Sequence, residues 1–347
     1  MKALVKHSHG TGNIDVRDMQ NPVLQKEDWV VIKVKAAGVC GTDLHVWEDK
    51  FSYWPPVILG HEFSGEVIDA GPSVKSYRKG DRVVAEPNTG GCGICQYCRS
   101  GRMHMCPEKL TLGWRIDGCF ADFISLPELV LHKIPDDLSY EIAALCEPLA
   151  ICVYDVSEHS RIVINDFVVV QGSGPIGIIS AYVAKSLGAR FVLMSGMSAG
   201  KQCRFDAAKK LGVDRIVNIE EENLFDAVMD LTGGKGADCV IETSGNPSAV
   251  KQCVSLLKRN GRITAIGLPA DDDIVFPWKS AVLKDLDVYF NMSSSYTSWD
   301  KALGMLNRDR KLFENVITRL AVIDDWESVF TDLLNEKDVK AVFQFDG

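Results

Sequence analysis

The run Val168-Val169-Val170-Gln171-Gly172-Ser173-Gly174-Pro175-Ile176-Gly177 decides how the second half of this chain is read. Three consecutive valines favour a strand, because a β-branched side chain packs well on a pleated surface and loses rotamer freedom in a helix. The first two glycines let the backbone turn tightly and approach a pyrophosphate, and the third lets the following helix pack closely on the strand. A bare G-x-G-x-x-G is weak evidence. Here the strand before it and the helical apolar pattern over 176–187 after it supply the context that the motif requires.

Outward from this loop, apolar stretches at 191–194, 215–218, 238–242 and 262–266 alternate with helical patterns at 204–211, 224–231 and 249–257. That rhythm predicts βαβ units and a doubly wound parallel sheet. A dinucleotide is expected against Gly172, Gly174, Pro175, Ile176 and Gly177, the strand end at Ser195 and Gly196, and the later strand end at Ile266 and Gly267. An NAD enzyme of this design places an acid after the second strand to hold the ribose 2′-hydroxyl. No Asp or Glu occurs between Ser186 and Phe205. Ser195, Gly196, Ser198, Lys201 and Arg204 instead offer small, hydroxylic and cationic groups suited to a 2′-phosphate, so NADP is favoured over NAD.

Upstream, the chain to about residue 150 reads as short strands at 29–36, 63–69, 81–85 and 119–125, separated by Gly, Pro and Asp turns. Beyond Lys284 come a strand at 286–291, a helix at 299–306 and a last apolar run at 341–345, expected to return to the first domain.

Cys92, Cys95, Cys98 and Cys106 are spaced C-x2-C-x2-C-x7-C among glycines that supply turns. Four thiolates close tetrahedrally around one zinc and leave no open position, which predicts a structural lobe. An iron–sulfur cluster also takes four thiolates, but the spacing is less like that of bacterial ferredoxins. A second set has a different character. Cys40 lies in GVCGTDLH and His61 follows 21 residues later in GHEFSGE. Thiolate, imidazole and one carboxylate make a three-ligand zinc site that keeps a fourth position for water or substrate. Glu62 and Glu147, the latter in CEPLA, compete for the carboxylate role.

Composition narrows the function. The 347 residues are 46% apolar, enough for a sizeable core, and 38 basic against 47 acidic side chains give a net charge of -9. That sign excludes broad binding to nucleic acid or anionic membranes and favours a small-molecule substrate. No run approaches the ~18 uninterrupted apolar residues of a membrane span, and the opening lacks an apolar core of signal-peptide length, so the cytoplasm is expected.

Taken in order, GVCGTDLH, GHEFSGEV, CGICQYC, CEPLA and GSGPIG resemble the zinc-containing medium-chain alcohol dehydrogenases over nearly the whole chain. Within them the likeness is to the polyol branch (sorbitol or L-iditol dehydrogenases) and to L-threonine 3-dehydrogenase, which carry E-P-L where alcohol dehydrogenases proper use cysteine. The resemblance implies an α/β chain: a GroES-like, mostly β catalytic domain with the lobe over 1–155, a Rossmann domain over 156–288, and a return to the catalytic domain over 289–347. It implies two zinc ions per chain, the catalytic one at Cys40, His61 and a glutamate, Glu62 or Glu147. It further implies a homotetramer or homodimer, and a proton relay in which Thr42 touches the substrate oxygen and His45 passes the proton to solvent. Asp43 matches the family's acidic position beside the metal.

Two departures follow. The acid after the second Rossmann strand is missing, and Asn291-Met-Ser-Ser-Ser-Tyr296 replaces the Arg-Tyr pair that sorbitol dehydrogenases use near substrate. The expected reaction is hydride transfer between a secondary alcohol, of polyol or sugar-alcohol type, and NAD(P). L-Threonine 3-dehydrogenase and a catalytically inactive zinc protein of the same fold are the rival readings. Trp47, Phe51, Tyr53 and Trp54 are candidate pocket walls, and Arg115 a candidate anion clamp.

Overall fold

The computed structural model describes residues 1–197 and 202–345. Their first eight strands are β1 (Lys2–Lys6), β2 (Ile14–Asp18), β3 (Trp29–Gly38), β4 (Val57–Ile58), β5 (Glu62–Ala70), β6 (Arg82–Ala85), β7 (Phe123–Pro127) and β8 (Leu131–Lys133). Then come β9 (Phe167–Gln171), β10 (Phe191–Gly196), β11 (Arg215–Asn218), β12 (Ala237–Glu242), β13 (Leu257–Ala265), β14 (Asp287–Phe290), β15 (Ile317–Ala321) and β16 (Lys340–Gln344). The chain divides into two compact units, Met1–Glu147 with Ser295–Gly347, and Pro148–Ser294.

The first unit is mostly β. A sheet in the order β15-β16-β3-β5-β6-β8, with β7 also on β3, is joined by a smaller β2-β1-β4 sheet. β3 is the hub, and most of its ten residues are buried because strands surround it. Its neighbours close a core that includes Ile32, Val34, Phe63, Val67, Phe120 and Phe343. The stretch expected as a strand at 119–125 divides in two. Cys119 and Phe120 donate their N–H groups to Gly60 and Leu59, and regular pairing with β3 begins only at Phe123. Gly118 permits the first part to run against Leu59 and Gly60: a Cβ there would overlap the carbonyl oxygen of Gly60, so only glycine lets the two backbones approach. β1 and β2 carry no strong alternation and escaped the sequence reading.

The second unit is a six-stranded parallel sheet in the order β11-β10-β9-β12-β13-β14. Numbered within the unit this is 3-2-1-4-5-6, with the switch point at β9. β9 is buried at all five positions, as a central strand covered on both faces should be. Caps set the helix boundaries. Asn223 accepts from Phe225 and Asp226 N–H at the start of Leu224–Thr232, and Gly233 ends it in the left-handed region at φ 60. Asn246 caps Pro247–Leu256, whose first-turn proline needs no N–H partner. That helix stops one residue short of the expected 249–257 end because Leu257 joins β13, pairing with Ala237.

Candidate metal and dinucleotide sites

Cys40 is the N-cap of the helix Gly41–Trp47, and the Asp43 carboxylate accepts its N–H at 2.8 Å. The other oxygen of Asp43 accepts from Gly60 N–H at 3.2 Å. One buried acid thus ties the Cys40 turn to the strand entry at His61. The ligand atoms of Cys40, His61 and Glu62 all lie within 4.8 Å of one another. His61 is 3% exposed and its Nδ1 has no hydrogen-bond partner, the Asp43 oxygen standing 3.6 Å away. Its ring meets Trp114 edge-on at 5.0 Å, and Phe51 meets Trp114 in turn at 5.5 Å.

Burial opposes a charged His61, yet the Cys40 thiolate and the Asp43 carboxylate outweigh it and push the value well up. Burial pushes Glu147 up to about 7, against the pull of His61 and with the push of Glu62. Glu62 itself is answered by Lys340, whose ammonium donates to Oε1 at 2.7 Å and stands 2.5 Å from Oε2. Glu147 makes no ion pair or side-chain hydrogen bond among the described residues. Glu147 lies outside the 4.8 Å set, yet close enough for His61 and Glu62 to act on it; the set itself, a thiolate, an imidazole and a carboxylate, is the donor chemistry a zinc ion needs, so the residues fit the group.

The lobe passes a sharper test. A zinc tetrahedron with arms of ~2.3 Å has edges of ~3.8 Å. The Cys95 sulfur lies 3.5 Å from that of Cys98 and 3.8 Å from that of Cys106, and all four sulfurs lie within 4.8 Å. The four thiols are free. The Cys92 N–H lowers Cys106 to about 7, whereas burial and neighbouring thiols raise Cys98 to about 12, as expected where only some of a crowded set can ionise without a cation. A Cβ at Gly91 would overlap the Cys98 sulfur, so glycine there leaves room for the cradle.

In the second unit, Gly172 adopts φ +112, and a Cβ there would come 2.7 Å from Thr243 Oγ1. A Cβ at Gly177 would overlap the Gly172 carbonyl, whereas nothing lies within 4 Å of one at Gly174. Gly174 is the N-cap of Pro175–Ser186 and no side chain caps it, so the first-turn N–H groups, from Ile176 on, have no capping side chain and suit an anion such as a pyrophosphate. β10 ends at Ser195 and Gly196, and a Cβ at Gly196 would come 2.6 Å from Ser173 Oγ. Ile266 and Gly267 both donate to the Glu242 carbonyl at 2.9 Å. Arg204 lies on the helix Gln202–Lys210, and Lys201 falls outside the described residues.

Thr42 Oγ1 lies 3.8 Å from the Cys40 sulfur, and His45, one turn on, is 54% exposed with Glu48 at 3.9 Å. Of the aromatic candidates only Phe51 reaches the Trp114–His61 stack. Trp47 packs on Trp326 and Phe330, Tyr53 is buried against Asp49, and the exposed Trp54 lies under the Arg115 guanidinium at 4.8 Å. Sequence reasoning missed Trp114 and Lys340. A lysine at the head of the apolar run 341–345 was the available signal for the latter.

Two family models match the chain, Alcohol dehydrogenase GroES-like domain over residues 26–136 and Zinc-binding dehydrogenase over 175–308. The chain belongs to the zinc-binding medium-chain alcohol dehydrogenases. This dehydrogenase is 37% identical to the sorbitol dehydrogenase of Halalkalibacterium halodurans over 342 residues, 99% of this chain and 98% of the relative. It is 33% identical to the L-threonine 3-dehydrogenase of Photorhabdus laumondii across 100% of both chains. Among solved structures, a Sinorhizobium meliloti protein assigned to the zinc-binding dehydrogenases and bound to NADP superposes with a TM-score of 0.90 at 28% identity, covering 99% of each chain. The dehydrogenase is therefore a zinc-dependent oxidoreductase that uses NAD(P), with a GroES-like domain and a Rossmann-type domain. No helix among its described residues is long and apolar enough to cross a membrane.

Proposed function

We propose that this dehydrogenase oxidises a secondary alcohol of the polyol class, with NADP preferred to NAD and two zinc ions per chain. One ion belongs to Cys92, Cys95, Cys98 and Cys106; the other to Cys40, His61 and Glu147. The observation that carries the reading is the clustering of Cys40, His61 and Glu62 within 4.8 Å, with Glu62 already held by Lys340 and Glu147 left as the unanswered carboxylate. When bound, the catalytic ion supplies Lewis-acid polarisation of the alcohol oxygen and the nicotinamide accepts the hydride.

The chain's own residues do the rest. Asp43 fixes the Cys40 turn and Gly60 through two hydrogen bonds, so thiolate and imidazole keep their separation. Trp114 and Phe51 cover the His61 ring and exclude water from it. Thr42 Oγ1 would accept the substrate hydroxyl proton while giving up its own, and the half-exposed imidazole of His45, one turn on, would take a proton and pass it to solvent. Gly172 and Gly177 let turn, strand and helix pack closely, so that the helix N-terminus opening at Gly174 meets the pyrophosphate. The preference for NADP rests on β10 ending in Ser195-Gly196 with no acid, where a 2′-phosphate meets no like charge. Its oxidation of polyols is favoured by the relative at 37% identity; L-threonine is the second reading, carried by the relative at 33%.

Nicotinamide absorbance with polyols, polyol phosphates and L-threonine, each with NAD and with NADP, tests the substrate and cofactor together. Turnover of L-threonine alone overturns the polyol reading, and higher kcat/KM with NAD overturns the cofactor preference. Metal analysis should return two zinc ions per chain, with His61→Ala retaining one.

A further inference from the structure

Three strands converge on one buried ion pair. Gly38 at the end of β3 pairs with Glu62 of β5 on one side and Val342 of β16 on the other. Lys340 begins β16, so its side chain reaches across Gly38 to Glu62; the two side chains are 3% and 1% exposed. Gly38 makes this possible. A Cβ there would overlap Glu62 Oε2 and come 3.2 Å from Lys340 Cε.

Glu62 faces two claims. Its carboxylate lies within 4.8 Å of the ligand atoms of Cys40 and His61, and the same carboxylate is engaged at both oxygens by the Lys340 ammonium. We propose that Lys340 sets how tightly the Cys40–His61 site retains zinc: by holding both oxygens of Glu62 it keeps that carboxylate from the ion, weakening the site's hold and speeding exchange. This rests on the catalytic-zinc reading above. Lys340 is a positioning residue here, acting on the metal through Glu62 without touching substrate.

Competition with a chromophoric chelator measures the affinity of full-length protein for its second zinc, with His61→Ala supplying the lobe baseline. Lys340→Met should bind that zinc at least about tenfold tighter, the equivalent of about 1.4 kcal/mol. Lys340→Arg, which keeps the charge, should match wild type. The gain should vanish in Glu62→Gln/Lys340→Met, where the contested carboxylate is gone. Unchanged or weaker affinity in Lys340→Met, or a gain that persists without Glu62, overturns the proposal. Should Lys340→Met fold only when loaded, the rate of zinc release into excess chelator gives the same decision, slower release supporting it and equal or faster release overturning it. A wild-type chain that takes up lobe zinc alone overturns the parent reading and this one together; two zinc ions with unaltered affinity in Lys340→Met overturn only the role of Lys340.

Discussion

A carboxyl buried without a partner keeps its proton long after its neighbours have lost theirs. Asp155, 2% exposed in the π-helical turn Val153–His159, has an Oδ1 with no hydrogen-bond partner, and burial pushes its titration well above the usual carboxylate range. The folded chain holds a proton there that the unfolded chain releases once pH passes about 3.9. Its contribution to stability is therefore intact below that pH and is lost as pH rises towards the folded value. Asp155→Asn has nothing to ionise, so its stability relative to wild type should rise by about 1.4 kcal/mol per pH unit within that window. Urea unfolding of both proteins at about pH 5 and about pH 6 reads the slope. A difference independent of pH would mean that Asp155 is already charged in the folded chain. Residues such as this one, and Lys340 beside Glu62, were not legible in the sequence because what defines them is what surrounds them. Lys340 and Glu62 are 278 positions apart, and no local pattern connects them. The four lobe cysteines were legible for the opposite reason: fifteen residues hold the whole set, so spacing alone brings the sulfurs together.

At the scale of the element, the loop between β9 and Pro175–Ser186 was readable because each glycine answers a local demand. The structure separates those demands. Gly177 is needed by packing, since its Cβ would overlap the Gly172 carbonyl and come 2.9 Å from Thr243 Oγ1. Gly174 has nothing within 4 Å and sits where the helix N-terminus opens, so its requirement comes from the ligand. Gly177→Ala should thus cost about 1–3 kcal/mol of stability, because overpacking shifts the helix from its strand, and should weaken dinucleotide binding as a consequence. Gly174→Ala should leave unfolding near wild type and still weaken NADPH binding, read by titrating nicotinamide fluorescence. Normal NADPH affinity in Gly174→Ala would move the pyrophosphate to another loop. Boundaries were less legible than elements: regular pairing, which began at Phe123 and not at Cys119, is decided by the partner strand, and a sequence does not display its partners.

At the scale of the whole molecule, the six-stranded sheet ends at β14, and no described strand pairs with its outer side. An open edge is an invitation to association unless charge, proline or a covering element blunts it. Here apolar side chains surround it: Phe290 on the strand is 81% exposed, and Trp278, Val282 and Leu283 on the preceding helix Trp278–Lys284 are 75%, 63% and 64% exposed. The homodimer or homotetramer that the sequence resemblance implies would find a contact face here. A twofold axis would place each β14 against its own counterpart, since an isologous contact uses the same patch on both chains. A stable interface of this kind needs about 1,200–2,000 Å² in total, more than a four-residue strand offers by itself. Multi-angle light scattering at micromolar concentration should therefore return at least twice the mass of one chain, and Trp278→Glu should lower it, because it removes an aromatic contact and places an unpaired carboxylate in an apolar one. A wild-type monomer, or a Trp278→Glu/Phe290→Lys protein of unchanged mass, would show that this edge is left to solvent and that any assembly is built on another face.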